Sequence, residues 1–298
     1  MANAALLAAT VLIWGTTWIA ISFQVDAVPV IVSVFYRFAL AALLMLGGLA
    51  ALGRLRRPAA WPFVLVQALC LFCFNFIGLY NAAALIPSGL VSVIFSLASI
   101  FNAVNARLFF GDRIESRTLL AGALGATGIL LLFWHDLAIS LDPATLRGIG
   151  WGVLGTLFFS WGNMASRRNS ALGTDPVTAN AWGMAIGALV LLGLAAATRA
   201  PLSLPPQPAF WLALVYLAAI GSVVGFTTYL LLVARIGSAG AGYATVLFPV
   251  VALVASTLFE GYHWSPTALT GVLFAGLGNL VMFGRKRPAA APPAAVRG

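Results

Sequence analysis

The chain has 298 residues, of which 8% are charged and 62% are hydrophobic, and its mean hydropathy is +1.02. A soluble domain carries charge on about a quarter of its positions, so this composition excludes an ordinary water-soluble fold. Helices that face lipid accommodate such an excess of apolar residues. The net charge of +9 does not indicate a nucleic-acid partner, because basic residues collect in the cytoplasmic loops of membrane proteins.

Charge-free apolar segments predict the membrane spans, since each crossing needs about 20 apolar residues. The stretch 58–106 is long enough for two spans, and Pro87 lies where the first of them must end. An Asp or Ser followed by Pro, as at Asp175 and Ser265, is typical of a helix start. The predicted spans are 4–23, 30–52, 62–83, 87–107, 117–134, 149–167, 176–197, 209–234, 239–259 and 265–284.

The distribution of basic residues predicts the orientation. With the amino terminus inside, the outer loops contain only Arg147 and Arg199. The cytoplasmic side then contains Arg54, Arg56, Arg57, Arg107, Arg113, Arg117, Arg167, Arg168, Arg235, Arg285, Lys286, Arg287 and Arg297. This bias indicates that both termini are cytoplasmic. The fold class is therefore an all-α integral membrane protein of ten transmembrane helices.

An internal repeat divides these helices into two groups of five. Landmarks of the first half recur in the second at an offset of 147 or 150 residues: Trp14 and Trp161, Pro29 and Pro176, Ile86 and Ile236, Gly111 and Gly261. The predicted units are 1–138 and 139–284, followed by a basic, disordered tail, 285–298. Because five is odd, the second copy must be inverted in the membrane, and inverted repeats are typical of transporters.

The order of these landmarks resembles the drug/metabolite transporter superfamily, specifically its ten-helix exporters with two EamA-type repeats. The resemblance rests on Trp14-Gly15 and Trp161-Gly162, on the runs 86–104 and 236–252, and on the glycine turns that follow those runs. It implies export of small metabolites by alternating access in a bacterial-type inner (plasma) membrane, without a cofactor. Within the superfamily the chain looks most like the YddG-type exporters of aromatic and other neutral amino acids.

Polar and aromatic side chains at helical spacing predict a solute pathway, since lipid-facing positions are usually aliphatic. An aromatic face attracts an ammonium group, and Asn or Ser donors suit a carboxylate. Packing between helices or an interfacial aromatic belt explains single residues of this kind equally well. The candidate substrate-binding residues are Trp14, Thr17, Phe76, Tyr80, Ser99, Asn102, Trp161, Asn163 and Tyr229.

Arg37 is the one charged residue in the interior of a predicted span, since Arg107, Arg117 and Arg167 are the end residues of theirs. A charge at this depth is costly and is a functional candidate by default. We interpret Arg37 as a gating or structural charge, with direct substrate contact as an alternative. A structural role could arise from pairing with Asp26 or Glu260, or from extension towards the outer interface.

The acidic residues all fall in predicted loops or at span ends. Because cation-coupled carriers usually keep a carboxylate in mid-membrane, the sequence favours facilitated export over proton antiport. Exporters of organic cations or drugs and sugar-phosphate carriers remain alternatives. Patterns of a membrane enzyme, such as DDxxD, are absent, so we expect no enzyme.

Neither a metal site nor a defined oligomer is predicted. Cys70 and Cys73 form a C-x-x-C inside an apolar run without further ligands, and we interpret them as packing residues rather than a metal site. The expected partners are a small solute and the lipid bilayer. The sequence leaves the oligomeric state open and is compatible with a monomer.

Overall fold

The computed structural model describes residues 2–114, 116–134, 142–229, 232 and 243–283. Within these ranges the regular structure is helical, and no strand occurs. In chain order the helices are α1 (Ala2–Ser22), α2 (Val30–Ala51), α3 (Trp61–Ala83), α4 (Ser88–Phe110), α5 (Ser116–Leu132), α6 (Pro143–Ala171), α7 (Pro176–Ala197), α8 (Pro208–Tyr229), α9 (Tyr243–Phe259) and α10 (Pro266–Phe283).

Six of these helices, α1 to α4, α7 and α8, are long and apolar enough to cross a membrane, and α5, α9 and α10 contain shorter apolar stretches. The described part is thus that of an integral membrane protein, as the composition predicts. Ten crossings and cytoplasmic termini stay predictions. The predicted tail, 285–298, lies outside the described residues.

The predicted signals for helix starts are confirmed. Pro87 precedes α4, and Asp175 caps α7 by accepting a hydrogen bond from the backbone N–H of Thr178 at 3.1 Å. The Ser265 hydroxyl likewise accepts from the N–H of Ala268 at 3.0 Å. These side chains satisfy N–H groups that have no partner within the first helical turn.

Helix α6 begins earlier than the sequence predicted. The charge of Arg147 set the predicted start at 149, whereas the helix begins at Pro143 and runs for 29 residues. The cause is Asp142, whose carboxylate accepts from the backbone N–H groups of Ala144 and Thr145 at 3.2 and 2.9 Å. A capped helix tolerates an exposed arginine in its first turns, so a charged residue does not mark where the helix begins.

The contacts between helices follow a regular scheme. The closest pairs are α5 with α10, α2 with α7, α1 with α9 and α3 with α6, followed by α4 with α6, α3 with α7 and α4 with α9. If each helix is replaced by the helix five places away in the chain, the pairs α5–α10 and α2–α7 remain the same pairs. The same exchange maps α1–α9 onto α6–α4, and α3–α6 onto the observed contact of α8 with α1. This is the contact pattern that two related five-helix units would give.

The glycine turns after α4 and α9 also correspond. Gly111 and Gly261 have φ angles of +75° and +67°. This left-handed conformation suits glycine, because it has no Cβ to clash with the neighbouring carbonyl. The two landmarks that the sequence places 150 residues apart therefore share a left-handed backbone conformation just after their helices.

Candidate functional site

A cavity lies at the centre of the helices, and α1, α2, α3, α4, α6, α8 and α9 all contribute to it. The space in it that the centres of water-sized spheres can reach is about 60 Å³, which is room for a few water molecules in this conformation. Most of the wall is aromatic. The lining residues are Trp14, Thr17, Trp18, Ile21, Arg37, Asn75, Phe76, Leu79, Phe95, Phe159, Gly221, Phe226 and Phe248.

Two of the helices that line the cavity contain a π-helical segment beside it. In α3 the π segment is Cys70–Phe74, and in α8 it is Tyr216–Val224. The first directly precedes Asn75 and Phe76, and the second contains Gly221. An i→i+5 turn adds a residue to the helix and rotates the side chains that follow it, and such turns are frequent at functional sites.

Arg37 reaches into the cavity and is 3% exposed. Its Nε donates a hydrogen bond to the hydroxyl of Ser222 at 3.3 Å, and this hydroxyl in turn donates to the carbonyl of Leu217 at 2.9 Å. The guanidinium carbon lies 4.5 Å from the centroid of the Phe76 ring and 5.5 Å from that of Phe38. These contacts place a cation against an aromatic face inside the protein.

Two details that the sequence suggested for Arg37, its position and its acidic partners, differ from the structure, whereas its role as a gating or structural charge stays a prediction. The side chain is buried rather than extended towards an interface. It pairs with neither Asp26 nor Glu260, because it turns towards α8. The Glu260 carboxylate instead accepts from the backbone N–H and the hydroxyl of Ser88 at 3.0 and 2.8 Å, and from the hydroxyl of Ser256.

The aromatic rings form two groups at the wall. Trp14 packs against Tyr229 and Phe226, with ring centroids 4.9 and 5.6 Å apart. Trp18 packs against Phe95 and Phe248 at 5.5 and 6.2 Å. Each group joins α1 to helices from elsewhere in the chain, so α1 is the element that brings the wall together.

Five of the ten residues singled out in the sequence lie in or directly behind this wall. Trp14, Thr17, Phe76 and Arg37 line the cavity, and Tyr229 supports Trp14. Tyr80 lies one helical turn from Phe76, is fully buried, and donates to the side-chain carbonyl of Gln24 at 2.9 Å.

The remaining four lie elsewhere. The Ser99 hydroxyl donates to the carbonyl of Ser96 within α4. Asn163 donates to the side-chain carbonyl of Asn102 at 3.3 Å, which ties α6 to α4. Trp161 lines a second, mainly apolar cavity formed by α3, α4 and α6.

Sequence reasoning left several wall residues out of the candidate set. Phe159, Phe248 and Leu79 line the cavity, but an apolar residue here has the same chemistry as one that faces lipid. Asn75 is next to Phe76 and Phe95 is four residues before Ser99, yet such spacing alone does not separate a cavity face from a packing face. Only the helix contacts distinguish the two.

Carboxylates are not found among the described lining residues. The described acidic side chains with hydrogen-bond partners lie at helix ends: Asp142 and Asp175 as caps, Asp112 with Arg167 at 2.6 Å, and Glu260 with Ser88. Glu115 and Asp136 are outside the described residues. In the described ranges, no group of three or more His, Cys, Asp or Glu residues could hold a metal ion, and Cys70 and Cys73 are buried free thiols.

The fold is similar to that of a solved crystal structure, with a TM-score of 0.68 and 18% identity. The alignment covers 94% of this chain and 96% of the other. At this identity the similarity concerns the fold alone.

Sequence relatives point to one kind of protein. The chain is 27% identical over 259 residues to the uncharacterized inner membrane transporter YedA of Escherichia coli K12, covering 84% of this chain and 80% of YedA. It is 25% identical over 217 residues to a probable terminal-alkyne amino-acid exporter of Streptantibioticus cattleyicolor, covering 70% and 69% of the two chains. The EamA-like transporter family matches residues 2–134 and 146–284. The chain is thus a multi-pass protein of the inner-membrane type, and it belongs to the EamA-like transporter family.

Proposed function

We propose that this transporter exports neutral amino acids, aromatic ones included, through the central cavity. The observation that carries the proposal is the cavity wall, which combines aromatic rings with a buried arginine and has no carboxylate among its described residues. Aromatic rings accept apolar side chains of different sizes, which favours a broad substrate range. The relative named as an amino-acid exporter supports the same substrate class.

Alternating access follows from the arrangement of two inverted repeats that we propose for the chain, with units at 1–138 and 139–284. The family matches at 2–134 and 146–284 support this division, as does the regular exchange of helix contacts. The cavity draws helices from both units, so rocking one unit against the other would open it to either side in turn.

Transport is facilitated in this proposal and follows the amino-acid gradient. Proton coupling requires a group that binds a proton in the pathway, and the described carboxylates lie at helix ends instead. The candidate substrate-binding residues are Trp14, Thr17, Phe76 and Tyr229 at the wall, with Tyr80, Ser99, Asn102, Trp161 and Asn163 extending the pathway beyond it.

Two other substrate classes are outcomes of the same test. Organic cations and drugs would meet the Arg37 cation in the wall, which disfavours them. A sugar phosphate carries more negative charge than the single described cation of the wall would balance. Neither class matches the cavity as well as a neutral amino acid does.

Uptake into proteoliposomes tests the proposal. The purified protein should accelerate entry of phenylalanine, leucine and other neutral amino acids above empty liposomes, and should transport organic cations and sugar phosphates little or not at all. A pH gradient imposed without an amino-acid gradient should produce no accumulation. If no amino acid enters faster than in empty liposomes, the substrate class is wrong; uphill flux driven by the pH gradient alone would contradict facilitated transport.

A further inference from the structure

Two buried polar atoms at the cavity have no hydrogen-bond partner among the described residues: Nη1 of Arg37 and the side-chain oxygen of Asn75. Both residues line the cavity, and their side chains are 3% and 2% exposed. One atom is a donor and the other an acceptor. Buried polar groups are nearly always paired in folded proteins, so this pair requires an explanation.

The rest of each side chain is held in place. The Nε of Arg37 donates to Ser222 in α8, and its guanidinium lies over the Phe76 ring. The side-chain N–H of Asn75 donates to the carbonyl of Leu71 at 3.2 Å, within the π segment of α3. The fixed ends orient the two side chains, and the guanidinium of Arg37 lies over the ring of Phe76, the residue that follows Asn75 in the chain.

The buried guanidinium also has no carboxylate partner among the described residues. A central arginine is costly to insert in a membrane without a compensating partner. An unpaired donor or acceptor in such a site is destabilising, more so when it is charged. A ligand with both an anionic acceptor and a cationic donor would remove both costs.

We propose that Arg37 and Asn75 bind the α-carboxylate and the α-ammonium group of the transported amino acid, respectively. This inference rests on the proposed function and specifies which groups of the amino acid the cavity recognises. The carboxylate accepts from Nη1 of Arg37, and the ammonium donates to the side-chain oxygen of Asn75. The rings of Trp18, Phe95 and Phe248 then contact the amino-acid side chain.

This arrangement explains how a cavity can be permissive and selective at once. Selectivity lies in the two polar groups common to all α-amino acids, whereas the aromatic wall accepts varied side chains. A primary amine without a carboxylate leaves Arg37 unpaired, and a carboxylic acid without an amine leaves Asn75 unpaired. Each should bind more weakly than the complete zwitterion.

Binding of three related ligands to the purified full-length protein tests the inference. The ligands are L-phenylalanine, L-phenylalaninamide, which lacks the carboxylate, and 3-phenylpropionate, which lacks the amine. We expect phenylalanine to bind at least about 10-fold more tightly than either of the other two ligands, since a charged hydrogen bond contributes about 1.5–3 kcal/mol. This comparison needs only the wild-type protein, so it is independent of how any variant folds.

Two substitutions then assign the groups. Arg37→Gln should weaken phenylalanine and phenylpropionate binding about 10- to 100-fold and leave phenylalaninamide within about threefold. Asn75→Leu should weaken phenylalanine and phenylalaninamide and spare phenylpropionate. Arg37→Lys keeps the cation and should restore part of the preference for the carboxylate. Arg147→Gln, which removes an exposed arginine near the start of α6, is the control and should change none of the three affinities.

Failure of this inference can be distinguished from failure of the proposed function. If wild-type protein binds and transports phenylalanine but binds phenylalaninamide equally well, the inference is wrong and the proposed function stands. The inference is also wrong if Arg37→Gln weakens all three ligands by the same factor, since that is the result of a structural role. Absence of binding for every amino acid would overturn the proposed function itself.

Discussion

A single carboxylate, that of Asp142, fixes where α6 begins. This carboxylate accepts from the hydroxyl of Thr145 at 2.6 Å and from the N–H groups of Thr145 and Ala144. These bonds, that of the Thr145 hydroxyl above all, hold the pKa of Asp142 below its ordinary value. A hydrogen bond from Arg167 lowers the pKa of Asp112 in the same way.

The lowered pKa predicts a pH-dependent contribution to stability. A carboxyl group whose folded pKa is depressed stabilises the fold at pH values above its unfolded pKa, about 3.9, and this contribution is lost as the pH falls through the folded value. The apparent melting temperature of wild-type protein in detergent should therefore fall between about pH 5 and pH 2. Asp142→Asn keeps a capping oxygen without the charge, so its melting temperature should fall less over that interval. Identical pH profiles would show that the cap does not contribute through its charge.

Helices α5 and α10 approach each other so closely that their backbones are in contact. A Cβ added to Gly271 would lie 2.6 Å from the carbonyl oxygen of Gly128, and one added to Gly128 would lie 2.7 Å from the carbonyl oxygen of Gly271. The helices thus meet where both lack a side chain, which is typical of membrane helix pairs. These obstacles are backbone atoms, so a side chain there has no rotamer that avoids them.

Gly271→Ala should consequently destabilise the protein by about 1–3 kcal/mol, the usual cost of overpacking. Gly276 lies on the same helix with no atom within 4 Å of an added Cβ, so Gly276→Ala is a matched control. It should be neutral or slightly stabilising, because alanine is the better helix former. Melting temperatures of the two variants, measured side by side in detergent, check the difference; equal values would contradict the packing of α5 on α10.

Most helix starts that depend on local chemistry were predictable from the sequence, although the Asp142 cap of α6 was missed, and features that depend on packing were not predictable. Pro87, Asp175 and Ser265 mark helix starts because caps and prolines act within one turn. The π segments of α3 and α8 were not predicted, since a π turn in an apolar run has no distinctive composition. They matter here because they lie beside Asn75 and Gly221.

The same reason limits what the sequence reveals of the site. Arg37 stood out because a charge in a span is rare, but its turn towards Ser222 in α8 depends on a contact between residues 185 positions apart. Phe159 and Phe248 carry no signal that separates a cavity from lipid. Chemically unusual residues were found, and ordinary ones in an unusual place were not.

In the molecule as a whole, helices α1 to α4, α6, α8 and α9 surround the central cavity, whose wall is mostly aromatic. The lining residues come from α1 to α4 and from α6, α8 and α9, that is, from both of the proposed units. A solute bound there would be reached from one side or the other as the units move. The central claim is that transported amino acids occupy this cavity.

Protection of a cysteine at the cavity tests that claim most directly. Thr17 lines the cavity, and Thr198 lies at the exposed end of α7. In a protein with Cys70 and Cys73 replaced by alanine, Thr17→Cys and Thr198→Cys would each be treated with a water-soluble thiol reagent. Saturating phenylalanine should slow modification of the cysteine at position 17 and leave the one at position 198 unchanged. If an amino acid that the same protein transports leaves the rate of modification at position 17 unchanged, that amino acid does not occupy the cavity and the proposal is contradicted.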